Sequence, residues 1–64
     1  MMKYYEFRTN GTATSPEMTA WFFGKDFLAD AIRKATKENK KTGSATYKTF
    51  KEGTGILSII ITKK

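Results

Sequence analysis

The chain has 64 residues, a formal net charge of +6, and neither cysteine nor histidine. A chain this short buries only about 60% of its unfolded surface, so residues 1–64 are expected to form one small, marginally stable domain. Disulfides and zinc sites of the Cys/His type are excluded, which leaves an efficient core or self-association to stabilise the fold. Aromatic residues at 14% of the chain favour a packed core over disorder.

The charge is unevenly placed. Residues 1–30 carry Lys3, Arg8 and Lys25 against Glu6, Glu17, Asp26 and Asp30; residues 31–64 carry only Glu38 and Glu52 against all the remaining lysines and Arg33. A basic half on a small domain is an electrostatic footprint for polyanions, nucleic acid first and an acidic protein or membrane surface second. Lysine also serves plain solubility, and ten of the twelve cations are lysine. No segment approaches the roughly 20 apolar residues that span a bilayer. The opening "MMKYYEF" lacks the apolar run and cleavage site of an export signal, so a cytoplasmic location is expected.

"KYYEFRT", residues 3–9, alternates with period two and is rich in aromatics, the signature of a strand. Asn10-Gly11 follows, the strongest two-residue hairpin signal, and Thr12 to Thr14 can return as a short second strand or run on as a loop. "SPEM" starts a helix: Ser15 offers a capping hydroxyl, Pro16 presets φ for the first turn, and Glu17 sits at the positive end of the helix dipole.

A single helix from about residue 16 to 40 is predicted. At about 100° per residue, Trp21, Gly24, Leu28, Ala31, Ile32 and Ala35 share one buried arc, with Ala20 and Phe27 at its edge. Asp26, Asp30, Arg33, Lys34 and Lys37 fall on the opposite side. Phe22 and Phe23 lie off the core stripe, either covered by the first hairpin or forming a docking surface. Gly24 on the buried arc suggests close approach of helix to sheet; the rival is a break there, or an extended "MTAWFF" paired with the first strand. Gly43 is a stop signal.

"ATYKTFKEGTGILSIIIT" reads as a second hairpin. A three-residue loop Gly53-Thr54-Gly55 places Tyr47 opposite Ile61 and Thr49 opposite Ile59. Leu57, Ile59 and Ile61 then face the core, and Ile56, Ser58, Ile60, Thr46, Lys48 and Phe50 face outward. The expected fold is α+β: one helix packed on a three- to four-stranded, mostly antiparallel sheet in β(β)αββ order.

No catalytic or metal motif is legible, and no cofactor is expected. Asp26 and Asp30 stand one turn apart, but Asp30 has Arg33 and Lys34 at i+3 and i+4 as ion-pair partners. There is no histidine to activate a serine, and nothing singles out a Ser–Lys dyad. The "GTG" of the second hairpin leads into a strand, where a phosphate loop needs a helix start. The expectation is a small non-enzymatic binding protein that contacts nucleic-acid backbone through Arg33, Lys34, Lys37, Lys40, Lys41, Lys48 and Lys51, with Lys63 and Lys64 extending the patch. The alternative is a protein-interaction or inhibitor module that docks an acidic partner through Phe22, Phe23 and the lysines, with Tyr4, Phe50, Ile56 and Ile60 on the outer sheet face as an interface for self-association or partner docking. Apolar residues left on the outer sheet face argue for a homo-oligomer.

Overall fold

The protein is described over residues 3–63 in a computed structural model. Strands β1 (Lys3–Thr9) and β2 (Thr12–Thr14) form a hairpin; α1 (Pro16–Phe23) and α2 (Lys25–Thr42) follow; β3 (Thr46–Lys51) and β4 (Gly55–Lys63) close the chain. The four strands make one antiparallel sheet in the order β2-β1-β4-β3. The first and last strands therefore meet at its centre, where β1 pairs with β4. The fold is α+β as expected, with two helices in place of one.

The first hairpin forms as Asn10-Gly11 dictates. Thr9 pairs with Thr12, and both loop residues have positive φ, Asn10 at 52° and Gly11 at 86°, as a type I′ turn requires. Asn10 also ties this turn to the other hairpin. Its N–H donates to the Ile56 carbonyl at 2.9 Å, its Oδ1 accepts from the Ile56 N–H at 2.9 Å, and its Nδ2 donates to the Thr54 carbonyl at 3.2 Å. The neighbouring Gly55 has φ 118°, and a Cβ there would collide with the Asn10 side chain.

The second hairpin keeps the expected faces with a register two residues away from the expected one. Tyr47 pairs with Ile59, Thr49 with Leu57, and Lys51 with Gly55. The turn closes earlier because the Thr54 N–H reaches the Lys51 carbonyl at 3.0 Å, with Gly53 supplying the positive φ of 87° at the third turn position. A shift of two preserves side-chain alternation, so Leu57, Ile59 and Ile61 still point to the core.

The core lies between the sheet and the helices. Phe7, Leu57, Ile59 and Ile61 of the sheet pack against Phe23, Leu28, Ala31 and Ala35, with Tyr5, Phe27, Ile32 and Tyr47 at its margin. Each such large side chain contributes roughly 1.5–3 kcal/mol on full burial.

The predicted continuous helix is broken at Gly24. That residue has φ 93° and ψ 146°, a region open essentially to glycine, and it separates α1 from α2 by itself. A Cβ at Gly24 would meet nothing nearer than the Lys51 Nζ at 3.8 Å, so close helix–sheet approach is not why glycine stands there. The break changes the rotational phase of everything before it. Trp21, placed on the core arc by a continuous helix, is 79% exposed; Phe23, placed off it, is fully buried. "MTAWFF" is helical, not an extended strand.

Both helices are capped by their own sequence. Ser15 Oγ accepts from the Met18 N–H at 3.1 Å, and Gly43, at φ 77°, ends α2 with its N–H on the Asn39 carbonyl at 2.9 Å. A chain of hydroxyls links the first hairpin to α1. Thr19 Oγ1 donates to the Ser15 carbonyl at 2.7 Å. A hydroxyl has one hydrogen, so Thr14 donates to Thr19 at 2.8 Å and Thr9 to Thr14 at 3.2 Å. Thr19 is fully buried and fully satisfied by this arrangement.

Candidate functional site

The structure separates the expected contact residues into three surfaces. The first is the outward side of α1. Met18, Trp21 and Phe22 stand at i, i+3 and i+4, which sets them along one side of the helix. They are 45%, 79% and 40% exposed. The Trp21 and Phe22 rings lie 5.6 Å apart at an interplanar angle of 59°, a tilted aromatic pair. Beside them an open, mostly apolar groove of about 520 Å³ is lined by Pro16, Glu17, Ala20, Trp21 and Lys25. The opposite side of α1 carries the buried Thr19 and Phe23. The helix thus carries apolar side chains on its open side as well as its covered one, an unusual state for a surface helix.

Phe23 must be withdrawn from the expected interface, since it is fully buried and stacks on Phe27 at 5.5 Å between ring centroids. Phe22 stays exposed. Met18 and Trp21 join it, although sequence reading put Trp21 in the core and gave Met18 no role. Their i, i+3, i+4 spacing is legible once the helix is ended at Gly24.

The second surface is the outward side of α2. Arg33, Lys34, Lys37, Lys40 and Lys41 are all exposed there. Arg33 and Lys34 share Asp30, at 3.1 Å and 3.0 Å. The hydrogen bond from Lys34 is the main cause that holds the Asp30 carboxyl below the usual carboxylate range, and Asp30 in turn raises the Lys34 ammonium. Such exposed pairs contribute little to stability. Lys37, Lys40 and Lys41 follow toward the helix C-terminus, where cations also complement the dipole.

Lys48 and Lys51 do not extend this row. Lys48 lies on the outer face of the sheet, across the molecule from the helices. Lys51 points inward: its Nζ donates to the Phe23 carbonyl at 2.7 Å and lies 5.5 Å from the Phe27 ring centroid. It caps the C-terminal end of α1 and is held by a structural contact. Lys64 and the Lys63 side chain lie outside what the structure describes, as do Met1 and Met2.

The third surface is the outer sheet face, which bears Tyr4, Phe50, Ile56 and Ile60 as expected. Tyr4, Phe50 and Ile56 are exposed and Ile60 is half-buried. These residues do not form one patch. The cross-strand row Arg8–Ser58–Lys48 separates the Phe50–Ile56 pair from Ile60 and Tyr4, and from it Arg8 holds Glu6, the cross-strand neighbour of Ile60, at 2.9 Å.

Among the described residues, no group of three or more acidic side chains is placed to hold a metal ion, and no helix is long and apolar enough to cross a membrane. Comparison of the chain with known protein families, curated proteins and solved structures finds no match.

Proposed function

We propose that this chain is a non-enzymatic protein-interaction module that docks an acidic partner through the outward side of α1. The supporting observation is the Met18–Trp21–Phe22 ridge, with Trp21 exposed at 79% on a chain that has one tryptophan. Tryptophan, aromatics and methionine are the residue types enriched at interface centres, and Trp is a foremost hot-spot residue. Lys25 on the groove rim and the net charge of +6 favour an acidic partner by steering encounter. The test is site-specific photo-crosslinking from position 18, beside Trp21 on the ridge, in extract of the source cell, against a control crosslinker at the exposed position 13 of β2. An acidic protein captured from position 18 only, and lost when Trp21→Ala is added with the fold intact, is the expected result. Equal capture from both positions, or none, overturns the reading.

A second reading, nucleic-acid backbone binding, is favoured by one observation: Arg33, Lys37, Lys40 and Lys41 stand uncovered on one side of α2. Its footprint is the helix alone, without Lys48 and Lys51. Binding to duplex DNA would then weaken steeply with salt. The triple change Lys37→Glu, Lys40→Glu, Lys41→Glu would lower the log–log salt slope by about 2–3. Absence of binding at low salt removes this reading and leaves the first untouched.

A further inference from the structure

We propose that the free edge of β3 is a docking site for an extended acidic segment of a partner protein, which adds there as a fifth strand. This surface is separate from the α1 ridge and does not depend on it.

The backbone phase of the sheet shows what the edge offers. The Ile61 N–H bonds to the Ala45 carbonyl at 2.8 Å, so residues 45, 47, 49 and 51 turn their backbone groups toward β4. The other side of β4 gives the same phase independently. There the Asn10 N–H reaches the Ile56 carbonyl at 2.9 Å, so the even-numbered residues of β4 serve β1 and the odd-numbered ones serve β3. Thr46, Lys48 and Phe50 therefore turn their N–H and C=O groups away from the sheet. β3 is its terminal strand, and among the described residues only the Thr46 carbonyl finds a partner, Ser44 Oγ at 3.0 Å. The groups of Lys48 and Phe50 make a short template for strand addition.

Charge around this edge selects the occupant. Phe27 lies beneath Lys51 of β3, which marks the side of α2 that faces β3. Lys34 and Lys41 follow Phe27 by 7 and 14 residues and so return to that side, each within about 20° per heptad. Lys48 flanks the edge on the outer sheet face. Glu38 and Glu52 are the nearby counterweights, and Asp30 is already engaged by Arg33 and Lys34. Lysines on an edge strand also discourage pairing between copies. A second copy would bring these same cations face to face, whereas an acidic strand neutralises them. Like-charge repulsion thus excludes the chain itself and admits an acidic segment.

The experiment is an amide NMR titration of the full chain with a blocked ten-residue peptide that alternates glutamate and valine, with the lysine–valine analogue as control. The expected result is saturable shifts centred on residues 46–51, with hydrogen exchange at Lys48 and Phe50 slowed at least about tenfold. The double variant Lys41→Glu, Lys48→Glu changes only exposed side chains and should weaken binding by about tenfold or more. Trp21→Ala should leave it unchanged, which separates this proposal from the α1 reading. No saturable shift at millimolar peptide, or an equal response to the lysine peptide, overturns it. Shifts of the same amides with protein concentration alone would also overturn it, because they assign the edge to a second copy.

Discussion

The two helices lie over the same sheet and bury residues in the same core, yet their outward sides are opposites. α2 follows the usual rule: Leu28, Ala31 and Ala35 face in, and Asp26, Asp30, Arg33 and Lys37 face out. α1 buries Thr19 and Phe23 and turns Met18, Trp21 and Phe22 to solvent. Nothing in the fold requires that second choice, since Trp21 makes no core contact. The contrast teaches that α1 carries apolar surface beyond what folding uses, and that α2 does not.

The largest expected effect tests the two sides of α1 against each other. Phe23→Ala removes a fully buried ring and should cost about 3–5 kcal/mol. A single core in a chain this short rarely supplies more than about 3–5 kcal/mol, so that variant should be largely unfolded. Trp21→Ala should change stability by no more than about 0.5 kcal/mol. Urea denaturation followed by circular dichroism measures both. Similar losses in the two variants would show that Trp21 is part of the core after all.

A smaller effect tests the joint between the helices. Gly24→Ala should cost about 1–3 kcal/mol because a left-turning φ of 93° is imposed on an L residue, with no clash to add to it. A chemically synthesised chain with D-alanine at position 24 should recover that loss, since the D residue accepts positive φ. If Gly24→Ala instead raised helicity and stability, the helices would have merged, and the difference between them would rest on tertiary packing alone.

The smallest effect lies on α2. Lys34 and Arg33 hold the Asp30 carboxyl below its ordinary range, so the folded state binds that proton less readily than the unfolded one. The resulting stabilisation is present at neutral pH and is lost as pH falls through the carboxylate range. The raised Lys34 ammonium gives the mirror case, with stabilisation lost as pH rises through the lysine range. Asp30→Asn should flatten both limbs slightly in a pH series of urea midpoints. A large change would mean that the outward side of α2 stabilises the fold more than exposed ion pairs do.

Much of this was legible in the residues. Asn10-Gly11 specified its turn, Ser15-Pro16-Glu17 its helix start, and Gly43 its helix end, because each acts through local backbone geometry or a bond a few residues away. The alternation of residues 57–61 identified the core face of β4 even though the register was misjudged by two, since a shift of two leaves the faces alone. The α1 surface was the part misread. Helical phase carries forward at about 100° per residue, so taking the helix as continuous, with the break at Gly24 only as the rival, reversed the positions of Trp21 and Phe23. The cation cluster was misjudged for a related reason: spacing along the chain says nothing of which layer a strand's side chain enters, and Lys51 turned inward.

By itself, the sequence determined the α+β class, the element types, both helix caps, the first turn and the net positive charge. All of these are set by composition or by interactions within a few residues. Tertiary structure alone decided that the first and last strands pair at the centre of the sheet, that Gly24 breaks the helix, and that Lys51 closes α1 by reaching across 28 residues to the Phe23 carbonyl. It also decided which aromatic is core and which is surface. Those choices depend on contacts between distant segments, whose free energies are settled only when the whole core packs at once.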